Sequence, residues 1–152
     1  MRRLVLFLTL ALSLSALGAS SALAEAPKGA QKAPLFGPEA SSTCESGGAP
    51  THKTFGFAIL ETPGNETTLS GVVSLKGAAP NATFRVSPVQ GPLGPFCGVL
   101  ADSVVSLHTN GRGNGTVELS GGRIPGTTKF FVELVNKAPP FEEFASPAVE
   151  LD

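Results

Sequence analysis

The chain has 152 residues, a formal net charge of −1, two cysteines, two histidines, and no Trp or Tyr. Its basic residues are scattered (Lys53, Lys76, Arg85, Arg112, Arg123, Lys129), so it carries no electrostatic footprint for nucleic acid or an anionic membrane surface. Without indole or phenol rings it also lacks the side chains on which sugar-binding sandwiches generally stack their ligands.

The N-terminus opens with Met1-Arg2-Arg3 and continues through the uncharged run "LVLFLTLALSLSALG" to "ASSALA". The apolar core has the length of a signal-peptide h-region and is short for a membrane span. Ala22-Leu23-Ala24 supplies the small-x-small pattern of a cleavage site. Residues 1–24 therefore read as a signal peptide, cut between Ala24 and Glu25. The expected product is secreted, with no stable membrane insertion. Losing Arg2 and Arg3 takes the formal charge from −1 to −3.

Residues 25–53, beginning "EAPKGAQKAPLFGPEASS", are rich in Ala, Pro, Gly and Ser and show neither helical nor strand periodicity. They read as a flexible arm. Cys44 lies near the end of this arm and Cys97 beyond it. In an oxidising compartment two thiols in a small domain pair, so a Cys44–Cys97 disulfide is expected.

From Thr54 the pattern becomes short alternating runs bounded by Gly, Pro and Asn. Phe55, Phe57 and Ile59 share one parity; so do Leu69, Val73 and Leu75, then Phe84 and Val86. Val105 with Leu107, Val117 with Leu119, Phe130 with Val132 and Leu134, and Val149 with Leu151 continue the series. Period-two patterning with frequent turn residues marks antiparallel β structure. About seven short strands over residues 54–152 predict an all-β, two-sheet sandwich. A weak internal repeat runs through it. "GVVSLKGAAPNATFRVSPV" (71–89) aligns with "GTVELSGGRIPGTTKFFVELV" (115–135), with two extra residues in the second connection. The two segments should be structurally equivalent.

"NGRGNG" (110–115) carries glycines at alternate positions. A phosphate loop needs a helix N-terminus after it; here another strand follows. The stretch reads instead as a hairpin that sets Leu107 opposite Val117 and Val105 opposite Leu119. Gly113 is its left-handed residue. His108 is then solvent-facing opposite Thr116.

No constellation of catalytic or metal-binding residues emerges. His52, His108 and Cys97 lack blue-copper spacing, and the only Met is Met1. Asp102 and Ser103 are adjacent, so they cannot act together with His108 as a triad. Glu142 and Glu143, in "APPFEEFASP", are neighbours that read as a solvated loop rather than a pair facing each other across a substrate. There is no D-x-D series for a hard cation. No catalytic, cofactor-binding or metal-binding residue is assigned, no cofactor is expected, and the chain reads as non-enzymatic. Asn65, Asn81 and Asn114 begin sequons that matter only in a host with glycosylation machinery.

One stretch, "SPVQGPLGPFC" (87–97), reads in two ways. Its prolines and Cys97 stiffen it. As a crossover between sheets it would bury Phe96 beside the disulfide; as a presentation loop it would expose Leu93 and Phe96 to a partner. The crossover is the expected outcome.

The segments "GVVSLKGAAPNATFRV", "LHTNGRGNGTVEL", "GTTKFFVELV" and "FASPAVELD" resemble those of small exported bacterial β-sandwich proteins of uncharacterised function, which are immunoglobulin- and fibronectin-like in pattern. The resemblance implies a fold and brings no active residues. The antibody-type Cys, Trp, Cys frame is absent. Taken together, the readings predict a secreted binding or structural module whose partner is an extracellular protein or surface component. The alternative is an inhibitor of a secreted enzyme acting through residues 87–97.

Overall fold

The structure, a computed structural model, describes residues 29–62 and 67–151. The signal-peptide segment 1–24 and the Asn65 sequon position lie outside these residues. The strands are β1 (Ala30–Phe36), β2 (Ser42–Thr43), β3 (Gly47–Gly48), β4 (Thr54–Glu61), β5 (Thr68–Leu75) and β6 (Thr83–Leu93). They continue as β7 (Phe96–Gly98), β8 (Val105–His108), β9 (Gly115–Gly122), β10 (Lys129–Asn136), β11 (Glu142–Ala145) and β12 (Val149–Glu150). One 3-10 turn, Ala101–Ser103, precedes β8. Among the described residues no helix is long and apolar enough to cross a membrane.

The described residues are all-β, as the period-two patterning predicts. Ten strands form one curled antiparallel sheet in the order β7-β6-β10-β11-β1-β4-β5-β9, with β12 also on β10 and β8 also on β6. β2 and β3 make a separate two-stranded ribbon. The curl brings the inward side chains onto one core: Leu35, Leu60, Leu69, Leu75, Phe84, Leu107, Phe130, Leu134 and Phe144 are all buried. Phe144 sits at its centre, with ring centroids 5.0 Å from Phe55 and 5.7 Å from Phe84, both tilted, the geometry that aromatic quadrupoles favour.

Several expectations are corrected. Residues 30–36 are not part of a mobile arm. They form β1, paired antiparallel with β4 from Ala30↔Glu61 to Phe36↔Thr54, with Ala33 and Leu35 buried. The alternation here is short and interrupted by Pro34; it is completed by the backbone ladder that β4 provides.

The parity of β4 also changes midway. Phe55 points inward, but so do Ala58 and Leu60, while Phe57 and Ile59 are only half-buried. Between Pro34↔Phe57 and Phe36↔Thr54 the register shifts, and Gly56 carries φ +116°. An extra residue in one strand flips which parity faces the core. Gly56 is required there because a Cβ would collide with the Ser74 carbonyl.

The 110–115 stretch is a turn, and Gly113 is left-handed at φ +73°. The strands on either side do not pair as expected, however. Leu107 lies opposite Phe84 and Val105 opposite Val86, while Val117 lies opposite Val73 and Leu119 opposite Gly71. His108 is exposed opposite Thr83, not Thr116, and its Nδ1 lies 2.9 Å from the Thr83 hydroxyl. The reason is ladder length. Every residue of eight-residue β9 finds a partner on β5, more than four-residue β8 could offer. The turn thus closes the curl, linking one end of the sheet to a strand on β6.

Finally, Glu142 and Glu143 lie on strand β11, not in a solvated loop. β11 pairs with β10 from Asn136↔Glu142 to Glu133↔Ala145 and is held there by the buried Phe144.

Candidate functional site

Residues 87–97 do not cross between sheets. They are the second half of β6 and a tight hairpin into β7, with Leu93 opposite Phe96. Gly94, at φ +63°, holds the first of the two central turn positions, where a two-residue hairpin loop needs a residue free to adopt positive φ. Pro95 at the second presets its own φ. Phe96 is 70% exposed, contrary to the expected burial beside the disulfide, and Leu93 is half-buried.

Two supports fix this hairpin from below. Cys97 is bonded to Cys44, with Cα atoms 5.2 Å apart, which ties β7 to the β2–β3 ribbon. Gln90, fully buried on β6, anchors the 122–127 segment: its Nε2 donates to the Gly122 carbonyl at 2.9 Å, and its Oε1 accepts from the Ile124 N–H at 2.8 Å. Buried amides satisfied at both ends hold one conformation. The Ile124 and Leu93 side chains close on Gly98 so tightly that a Cβ there would overlap both. Leu93 and Ile124 thus form an apolar patch at the foot of the stiff tip that carries Phe96.

A second feature lies at the far end of β10, where sequence reasoning found nothing. A cleft of about 720 Å³ opens between residues 38–41 and the β10–β11 connection, lined by Glu39, Ser41, Lys137, Phe141, Glu142 and Glu143 among others. Phe141 is 72% exposed. The Glu143 backbone is pinned by its N–H donating to the Pro38 carbonyl at 2.7 Å and its carbonyl accepting from Ala40 at 3.4 Å. Its carboxyl is pushed above the ordinary carboxylate range by desolvation, then by the charge of Glu133 and a hydrogen bond with it. Glu133 also accepts from the Ser42 hydroxyl at 3.3 Å. The Glu142 carboxylate is committed elsewhere, accepting from the Ala79 N–H at 2.7 Å. Glu133 and Glu143 are ten positions apart, so only the β10–β11 pairing reveals them as neighbours.

The Ser103 hydroxyl donates to the Leu100 carbonyl at 2.7 Å, and the Cys97 sulfur is consumed by the disulfide. Among the described residues no group of three or more His, Cys, Asp or Glu is arranged to hold a metal ion. Comparison of the chain with protein-family models, curated proteins and solved structures finds no match.

Proposed function

We propose that the protein is a secreted, non-enzymatic binding module that engages an extracellular protein or surface component through the β6–β7 hairpin. The observation that carries this reading is the exposure of Phe96 at the tip of a doubly anchored turn. Burying a phenylalanine ring contributes roughly 1.5–3 kcal/mol, which this fold forgoes and a partner's apolar pocket would recover. A stiff tip loses little entropy on binding, and aromatic side chains are enriched at interface cores. The disulfide supports an oxidising compartment. An immunoglobulin- or fibronectin-like sandwich is the finer architecture we propose, since such folds present function from turns at the ends of a rigid core.

The convex, two-residue tip favours one second reading, inhibition of a secreted enzyme whose substrate cleft accepts Phe96. Capture from the producing organism's culture fluid tests both, with mature protein, Phe96→Ala, Leu93→Ala and, as a control at the other end of β6, Arg112→Ala as baits. A partner retained by wild type and Arg112→Ala but lost by the other two is expected. Retention by all four overturns the assignment. Assay of the captured partner's own activity separates inhibitor from simple binder.

A further inference from the structure

We propose that Asn110 is a site of spontaneous covalent modification. Its side-chain amide is lost by attack of the Gly111 backbone nitrogen, leaving aspartyl and isoaspartyl forms, while the fold protects Asn114 in the same turn. The site lies between β8 and β9 and does not depend on the binding reading of the β6–β7 hairpin.

The sequence holds two Asn-Gly pairs, Asn110-Gly111 and Asn114-Gly115. Glycine has no Cβ to shield its nitrogen, so in an unfolded chain the two pairs are chemically equivalent. The fold separates them. Asn110 and Gly111 are both exposed. Among the described residues the Gly111 N–H donates to no acceptor, which leaves its nitrogen available as a nucleophile. The Asn110 side chain folds over the peptide that follows it: its Oδ1 accepts from the Arg112 N–H at 2.9 Å and from the Asn114 N–H at 3.1 Å. The first of these bonds closes a ring that contains both the carboxamide carbon and the Gly111 nitrogen. Both bonds fall on the oxygen that gains negative charge when that carbon is attacked. Two backbone N–H groups on such an oxygen stabilise the tetrahedral intermediates of acyl transfer.

Asn114 differs at both reacting groups. Its Oδ1 accepts from the Gly77 N–H at 3.0 Å, one donor rather than two. Gly115 lies opposite Leu75 on the β5–β9 ladder. Beyond the far end of that ladder the Arg123 N–H donates to the Thr67 carbonyl at 2.8 Å. Bonded pairs recur at every second residue of an antiparallel ladder, so Gly115 also occupies a bonded position and its nitrogen is held in the sheet.

The step needs only solvent. The Gly111 nitrogen gives its proton to hydroxide and bonds to Asn110 Cγ; the Cγ–Nδ2 bond breaks, and the amide nitrogen takes up a proton and leaves as ammonia. Water then opens the cyclic imide, at Cγ to give aspartate or at the main-chain carbonyl carbon to give isoaspartate. Nothing is oxidised or reduced. The isoaspartyl form gains a backbone methylene and frees as a carboxylate the Asn110 carbonyl that now accepts from the Asn81 and Gly113 N–H groups at 3.0 and 2.9 Å. It therefore loosens the tie between this turn and Asn81.

The test incubates mature protein in mildly alkaline buffer, native and, in parallel, unfolded in guanidinium chloride with the disulfide reduced. Peptide mass spectrometry, with fragmentation that separates aspartyl from isoaspartyl products, follows both asparagines. In native protein Asn110 should react at least about tenfold faster than Asn114, and faster than it does unfolded. Unfolded, the two should react alike. Gly111→Ala places a Cβ 3.9 Å from the Asn81 Oδ1, at ordinary contact distance, so the fold is kept. This variant should slow the native reaction at Asn110 by about tenfold and leave Asn114 unchanged. Four results overturn the proposal: no modification of native Asn110, equal native rates at the two asparagines, slower reaction of Asn110 folded than unfolded, or a rate at Asn110 indifferent to Gly111→Ala.

Discussion

Val73 on β5 lies directly opposite Val117 on β9, and the two occupy the same position in the internal repeat. The repeat's returning strands behave alike: Ser87 on β6 lies opposite its counterpart Glu133 on β10. Each copy is a strand, a connection and a returning strand, and each of its strands pairs antiparallel with the matching strand of the other copy. Pairing about a matched centre makes contacts reciprocal. Gly71 faces Leu119 and Leu75 faces Gly115, so a large side chain meets a glycine on either side of the valine pair. This is the size complementarity that cross-strand packing rewards.

Gly113 is the first position where a substitution discriminates. It is left-handed, and a Cβ there would run into the Ala78 backbone. Gly113→Val should cost roughly 2–4 kcal/mol, combining backbone strain with overlap. Arg112→Ala, on an exposed neighbour in the same turn, should stay within about 0.5 kcal/mol. Thermal melts of the two variants check this; equal losses would refute the account of the turn.

The disulfide closes a loop of sequence separation 53. In the chain-entropy model that separation corresponds to about 4 kcal/mol. Cys97→Ser should lower the urea midpoint accordingly, and reductant should do the same to wild type but not to the variant. A midpoint indifferent to reductant would show that the ribbon and hairpin are held together without the bond.

Phe96 and Phe144 should respond oppositely to truncation. Phe144 is fully buried between Phe55 and Phe84, so Phe144→Ala should cost about 3–5 kcal/mol. Phe96→Ala, at the exposed tip, should leave the melting temperature nearly unchanged. A large loss at Phe96 would place that ring in the core and remove the basis of the binding reading.

Glu143 makes stability depend on pH. Its carboxyl is raised above its ordinary value of 4.5 by desolvation, then by Glu133. A group raised on folding contributes stability that is fully present below its unfolded value and lost as pH rises through its folded value. The stability difference between wild type and Glu143→Gln should therefore shrink, or turn against wild type, as pH climbs from about 4.5 towards neutrality. Denaturant curves at successive pH values measure it; a difference constant with pH rules the coupling out.

The β class, the left-handed turn at Gly113 and the Cys44–Cys97 bond were legible in the sequence because each rests on local chemistry or on a count. Alternation reports which side chains share a face, a positive φ calls for glycine, and two cysteines allow one pairing. The strand partners were not legible. Every strand offers the same N–H and C=O groups along its edges, so alternation does not say whether β9 lies on β8 or on β5. Ladder length and packing of the whole sheet decide that, and they also draw residues 30–36 onto β4. Gly56 shows how little is needed: one extra residue turns Phe57 and Ile59 away from the core while the letters still alternate. The exposure of Phe96 and the meeting of Glu133 with Glu143 have the same origin. Both depend on which backbone edges come together, and only the folded sheet sets that.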